Sequence, residues 1–280
     1  MKVKGHPVHT SCAYYGKSRQ GYYDRMHHAL KREELQKAVI KKVVEIRELL
    51  PFCGTRKLHY LLRQQGLQIG RDALFDLLRE KQLLVKRKRK YIKTTNSKQS
   101  RSSYENLLKE LEISQAEQVF VSDITYIRMK ESFCYLAIVA DAYSKKIMGK
   151  YISEDMHTTL VLKALVESLR NKQYNGRLIH HSDHGIQYAS RTYTNALKLS
   201  DIMISMAGRG KAWENPVAER IMGILKYEFG LNKTFETFNE AYASIEEAIQ
   251  KYNILRPHLS CGYLTPEQAH EQGKDLVKVW

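Results

Sequence analysis

VFVSDITYI, residues 119–127, reads as a β-strand with an acid set in its middle. Val, Phe, Ile, Thr and Tyr are the residues that fit a pleated, half-buried surface. Asp123 interrupts the run, and a carboxylate there is costly to bury unless it is paired or binds a cation. FCYLAIVADAY (133–143) and KKIMGKYIS (145–153) repeat the strand composition after short turns, which predicts an antiparallel meander. HTTLVLKALVESLRN (157–171) reads as a helix. RLIHHS (177–182) is a fourth strand reached through that helix, so it should pair in parallel. A helix over 190–199 and a fifth strand at IMIS (202–205) follow. A Gly-rich loop, AGRGKAWEN (207–215), then leads into a helix from Pro216 to about Glu228, with Asn215 as N-cap and Pro216 in the first turn. A last helix covers about 238–252. The predicted fold class is α/β, a mixed five-stranded sheet flanked by helices.

Two further acids belong with Asp123. Asp183 lies just past the fourth strand in HHSDHG (180–185), where Gly185 permits a tight turn, and Glu219 lies one turn into the capped helix. If the first and fourth strands are neighbours, both aspartates face one point at the sheet edge, and the helix lays Glu219 over it. Three converging carboxylates cannot all stay ionised without compensating positive charge. Hard oxygen ligands favour Mg2+ or Mn2+. Two such ions suit phosphodiester chemistry, one activating the attacking oxygen and the other stabilising the leaving oxygen. Each acid alone has a plainer reading, an edge or turn Asp or a solvated Glu. Glu214 and Glu228 are rival third carboxylates; Glu214 precedes the cap and Glu228 shares the opposite helix face with Ile221, Ile224 and Leu225. His180, His181 and His184 invite a zinc reading, but no cysteine pattern accompanies them, so His181 is read as packing or support and His184 as a DNA contact.

Upstream the pattern changes to helical. Leu35, Val39, Val43, Ile46 and Leu50 are spaced along a helix over 33–50 that Pro51 stops. Leu58, Leu61 and Leu62 mark a second helix over 55–65 that Gly66 breaks; Leu74, Leu77 and Leu78 mark a third over 71–81. Three short helices with Gly-containing turns fit a helix-turn-helix whose third helix reads DNA; a small bundle without DNA contact is the plainer alternative. The run Lys86-Arg87-Lys88-Arg89-Lys90 directly after it favours DNA, as a phosphate clamp. TTNSKQSRSS (94–103) contains no hydrophobic residue and marks the domain boundary. The division expected is a basic helical region over 1–93, a linker over 94–116, and a catalytic core with a helical extension over 117–280.

Charge supports this split. Residues 1–100 hold 24 Lys and Arg against 8 Asp and Glu, whereas residues 101–280 hold 22 of each. The whole excess of +16 lies in the first third, which points to a polyanionic partner, nucleic acid before membrane surface. No run of eighteen apolar residues exists, so no membrane helix is expected, and the basic N-terminus lacks the apolar region of a secretory signal. Cys12, Cys53, Cys134 and Cys261 are far apart and form neither a disulfide framework nor a zinc finger. His6, His9 and Cys12 cluster, but no second ligand pair follows at finger spacing.

The segments VSDITYI, YLAIVADAYSKKIMG, HHSDHGIQYAS, ENPVAERIMGILKYE and YNILRPHLSCGYLTPEQA occur in this order, with 35 residues separating Asp183 from Glu219. In these motifs the stretch from about 117 to 270 resembles the integrase-type catalytic core of bacterial insertion-sequence transposases, and more narrowly the second-frame product of the IS-three family. GTRKLHYLLRQQGLQIGRDALFDLLREKQLLVKRKRKYIKTT resembles that family's helix-turn-helix. The resemblance implies an RNase H-like fold, a triad of Asp123, Asp183 and Glu219 that binds two Mg2+ ions (Mn2+ as substitute), and DNA strand cleavage followed by strand transfer. It implies a basic residue seven positions after the Glu, here Lys226, and helical geometry independently puts positions 219 and 226 on one face. DNA contacts are thus expected at Lys226, Arg71, Lys86, Arg87, Lys88, Arg89 and Lys90. The expected partners are DNA, as element ends and target, a first-frame product or fusion with it, and further copies of the chain on DNA; the expected location is the bacterial cytoplasm, at the nucleoid. Glu214 and His184 depart from the common pattern, where many relatives carry Asp and Arg. Arg256, Pro257 and His258 match a family motif read as structural. A nuclease of the same fold that does not join strands, and an inactive DNA-binding relic, are the alternatives.

Overall fold

The structure, a computed structural model, describes residues 7–86, 104–208 and 210–273. The chain divides into two compact units, the first reaching Val85 apart from Leu49–Phe52, the second comprising the remainder. His6, Arg87–Lys90 and the polar stretch 94–103 lie outside the described residues.

The first unit is all helical: α1 (Val8–Tyr14), α2 (Arg19–Leu49), α3 (Thr55–Gln64) and α4 (Arg71–Glu80). Val39, Val43 and Ile46 of α2, Leu58 and Leu62 of α3, and Leu74, Leu77 and Leu78 of α4 are all buried, as their spacing predicts. Gly66 has φ of +80°, the left-handed conformation that ends a helix, and α3 stops two residues before it. The helix expected over 33–50 begins fourteen residues earlier, at Arg19. Residues 23–34 are exposed throughout; Tyr23, Met26 and Leu30 stand at helical spacing there, a short stripe that the reading of the sequence passed over.

The second unit is built on a five-stranded sheet in the order β3-β2-β1-β4-β5, where β1 is Val119–Arg128, β2 Phe133–Asp141, β3 Ile147–Ser153, β4 Ile179–Ser182 and β5 Met203–Met206. β1, β2 and β3 form the predicted antiparallel meander. β4 pairs with β1 in parallel after α5 (Thr158–Arg170), and β5 pairs with β4 in parallel. Side chains alternate along β1: Val119, Val121 and Ile127 enter one core, Phe120 and Ile124 the other. The first core is closed by α8 (Pro216–Glu228) and α9 (Phe238–Leu255), the second by α5 and α7 (Arg191–Leu199). α5 packs so closely on β3 that a Cβ on Gly149 would overlap the Ala164 carbonyl and the Ser168 amide.

Residues 104–116 form no helix or strand. Leu107, Leu108, Leu111 and Ile113 pack against the first core and Tyr104 against the second, so this stretch lies on the sheet unit. α10 (Pro266–Glu271), opened by a Thr265–Gln268 capping box, is tied back to the start of β1. Glu117, buried and at φ +60°, accepts from the amides of Gln173 (2.8 Å) and Tyr174 (2.7 Å) and lies 3.1 Å from His270 Nε2. Burial opposes ionisation of Glu117, but these hydrogen bonds outweigh it and hold its pKa below the usual value. Arg256 makes a bidentate pair with Glu228, with both contacts at 2.9 Å, and Arg256 is buried, which gives the motif a structural role. The four cysteines are free and buried. Among the described residues no helix is long and apolar enough to cross a membrane.

Candidate active site

The register between β1 and β4 brings the two aspartates together. Ser122 pairs with Ser182 on strands that run about 4.8 Å apart; Asp123 is the next residue on β1 and Asp183 the first residue past the end of β4. Alternation puts both on the face of Val121, the face that α8 covers. Asp123 Oδ1 accepts from the Ile124 amide at 2.8 Å, and Asp183 Oδ1 accepts from the Gly185 amide at 2.9 Å. Gly185 has φ of −58°, so its role differs from the turn expected of it. A Cβ there would come to 3.0 Å of Asp183 Oδ1, and glycine leaves the carboxylate that space.

Glu219 stands in the first turn of α8, exposed to solvent. Asn215 occupies the N-cap position but its side chain does not cap. Its Nδ2 donates to the Ser122 carbonyl at 2.9 Å and pins the head of α8 to β1 beside Asp123. The sequence rule for helix starts found the position; the packing of helix on strand redirected the side chain.

The electrostatics are those of acids in want of a cation. Burial, the charge of Asp183 and more weakly that of Glu219 push the Asp123 carboxyl up to about 7, despite the Ile124 amide and Lys226. Partial burial and Asp183 likewise raise Glu219. Lys226 lies two turns along α8; burial lowers its pKa and Asp123 partly opposes that shift. Its ammonium rests 4.5 Å from the centre of the Tyr126 ring. Among the described residues no three His, Cys, Asp or Glu side chains are already drawn together around an ion position. The donor set nonetheless fits a divalent cation, being three hard oxygen donors of which two repel one another from adjacent strands.

The rival acids are occupied elsewhere. Glu214 Oε2 accepts from the Gly208 amide (2.7 Å) and Asn106 Nδ2 (2.9 Å), bonds that lower its pKa, and so closes the Gly-rich loop on itself. Glu228 belongs to Arg256. Beneath the site, His180 Nε2 lies 3.1 Å from Ser122 Oγ and 2.9 Å from the Tyr193 hydroxyl, and burial lowers its pKa to about 3, so it is neutral. His181 Nδ1 meets Ser205 Oγ at 2.8 Å, in keeping with a supporting role. Both ring nitrogens of His184 are buried without a hydrogen-bond partner, on the wall of a cavity of about 700 Å3 that Asn106, Lys211 and Glu214 also line. Sequence reasoning missed the Ser122–His180–Tyr193 floor, Asn106 and Tyr126. Only the position of Tyr126, three residues after Asp123 on one strand, offered a signal.

Of the residues expected to touch DNA, Lys226 is thus at the site. Arg71 opens α4, exposed and paired with Asp72 at 2.9 Å, and Lys86 is exposed.

The fold, with one acid inside β1 and a second just past the end of β4, defines a protein of the integrase-core class. Two family models, each described as an integrase core domain, match residues 113–212 and 200–266. The insertion element IS600 uncharacterized 31 kDa protein of Shigella sonnei is 35% identical over 93% of this chain and 97% of its own length. Transposase InsF for insertion sequence IS3A of Escherichia coli K12 is 31% identical over 77% of this chain and 75% of its own. The chain belongs to the insertion-sequence transposases that carry an integrase core. A chain in the cryo-EM structure of a simian T-cell lymphotropic virus intasome in complex with PP2A regulatory subunit B56 gamma shares the fold, with a TM-score of 0.51 at 15% identity over 81% of this chain and 74% of that one.

Proposed function

We propose that this transposase cuts DNA at the ends of its element and joins the freed 3′-hydroxyl to a second phosphodiester, with Asp123, Asp183 and Glu219 as the metal-binding acids. The observation that carries the reading is the Ser122–Ser182 register, which sets Asp123 and Asp183 side by side under α8. Bound there, Mg2+ or Mn2+, two ions in all, would activate the attacking oxygen and stabilise the leaving one. The chain's own part is positioning and charge. Asp123 and Asp183 hold fixed orientations through the Ile124 and Gly185 amides, and Asn215 keeps the Glu219 helix against them. Lys226 neutralises a phosphate beside the reacting one. The displacement is in line: a new O–P bond forms as the old one breaks, and the leaving oxygen departs on the opposite side.

Residues 1–93 form the DNA-gripping region, with Arg71 at the head of the reading helix and Lys86 opening a basic run that continues through Lys90. Residues 94–116 connect it to the core over 117–280. Arg71 exchanges its Asp72 partner for a phosphate on binding. Several copies of the chain assemble on DNA, together with a first-frame product that supplies end recognition, in the bacterial cytoplasm at the nucleoid.

The test is a branched DNA mimicking a strand-transfer product, incubated with wild type and with Asp183→Asn, with Mg2+, with Mn2+ and with chelator. Metal-dependent splitting and rejoining by wild type alone is the expected result. Hydrolysis without rejoining makes the protein a nuclease of this fold, and the absence of any activity, even after fusion to the upstream frame, makes it a DNA-binding relic.

A further inference from the structure

β4 ends at Ser182, so among the described residues no strand pairs with β1 on that side between Asp123 and Ile127. Beside this open edge lies a group of side chains that the reaction described above does not use. Tyr126 on β1 is 49% exposed and Phe133 on β2 39% exposed, and their rings meet edge to face at 5.4 Å. Each ring has a cation beside it: Lys226 Nζ is 4.5 Å from the Tyr126 centroid, and the Arg128 guanidinium carbon is 5.6 Å from that of Phe133. Large aromatic rings left open on a sheet are not explained by packing, since both cores are filled by other residues.

Position gives the group its meaning. Tyr126 is three residues past Asp123, a run of about 10 Å along the strand, and Arg128 about 17 Å. Alternation sets both on the face opposite Asp123, and Lys226 of α8, the helix over the Asp123 face, comes to the Tyr126 ring beside the open edge of β1. A nucleic-acid strand advances about 3.4 Å per nucleotide along its helix axis, so the rings fall within roughly three nucleotides of a phosphate held at the acids. Exposed aromatics interleaved with cations are the means by which proteins hold single strands: bases stack on the rings while the cations follow the backbone. A base inside a duplex has both faces covered by its neighbours, so only an unpaired or frayed base can use such a platform.

We propose that Tyr126 and Phe133, flanked by Lys226 and Arg128, form a stacking site for an unpaired base of the DNA strand next to the reacting phosphate. The proposal rests on the DNA-processing reading of the acids. Tyr126 provides the ring nearest the reacting phosphate, Phe133 steadies that ring from the side, and the two cations meet the flanking phosphates.

The test uses the full chain and branched oligonucleotides carrying 2-aminopurine at single positions up to three nucleotides either side of the branch phosphate, with Ca2+ in place of Mg2+. Wild type and Tyr126→Phe should quench the fluorescence at one or two positions, and Tyr126→Ala should not. Tyr126→Ala should weaken binding of DNA unpaired at that position about tenfold, within the range expected when a base loses an aromatic partner, and weaken fully paired DNA less than twofold. An abasic nucleotide at the quenched position should abolish the difference between wild type and Tyr126→Ala. Persistence of the difference on abasic DNA would mean that Tyr126 acts only by holding Lys226, and the proposal would fall. It would fall equally if quenching survived in Tyr126→Ala or appeared at no position in wild type. A matching melting curve for Tyr126→Ala establishes folding, and Tyr126→Leu, which keeps the bulk but lacks the ring, takes its place if that variant is unstable. Cleavage without quenching would refute the platform alone, and quenching without strand cutting would refute the catalytic reading alone.

Discussion

Replacing Asp123 by Asn should stabilise the metal-free protein. The folded carboxyl has its pKa pushed from 3.8 up to about 7 by burial and by the charge of Asp183. A carboxyl whose folded pKa exceeds its unfolded value destabilises the fold at every pH above about 7, and that penalty vanishes below the unfolded value. Moving the carboxyl from 3.8 to about 7 sets a ceiling of about 4 kcal/mol. Water still reaches part of Asp123, so about 1–2 kcal/mol is the expected gain at pH 8, or about 2–6 °C in melting temperature. Added Mn2+ or Mg2+ should reverse the order: wild type gains about 2.7 kcal/mol at a hundredfold excess over Kd, while Asp123→Asn, having lost a ligand, gains little. Thermal melts of both proteins at pH 8 and pH 5, with chelator and with metal, read all of this. If Asp123→Asn melts lower than wild type in chelator at pH 8, or if metal stabilises the two equally, the argument from clustered acids is wrong.

Other positions give independent checks. Gly149→Ala should destabilise the catalytic unit by about 3 kcal/mol in chemical denaturation, because the added methyl group meets the backbone of α5 rather than a movable side chain. Arg256→Ala should cost a similar amount, about 3 kcal/mol by the same measurement, since it leaves Glu228 without its bidentate partner. Glu117→Gln should lose about 2 kcal/mol at pH 7, where the native carboxylate accepts from two amides and faces His270. The folded pKa of Glu117 is lowered, so its contribution is present above the unfolded value and is lost as pH falls through the folded one. Stability measured from pH 7 down to pH 3 should therefore fall less steeply in Glu117→Gln than in wild type.

The order and type of elements in the catalytic unit were legible in the sequence, because period-two and period-3.6 patterns are local properties of the chain. The parallel direction of β4 followed from the helix before it; that β4 pairs with β1 in particular, and so brings Asp123 to Asp183, was a condition that the sheet order met. The first half of α2 was missed because its short apolar set, Tyr23, Met26 and Leu30, is exposed and is followed by the polar run 31–34. The partners of polar side chains were also beyond it. Asn215 suits an N-cap, yet donates to Ser122; Glu214 could have been a ligand, yet ties Gly208 to Asn106; and no local pattern marks Glu117, which anchors a helix through a residue 153 positions away. Tyr126 read as one more strand aromatic, and only its half-exposed ring beside Lys226 sets it apart. Sequence patterns therefore fixed which residues share a face, because that depends on backbone geometry alone. Which groups meet across that face was decided by packing, where each buried donor or acceptor takes the partner that the fold leaves within about 3 Å.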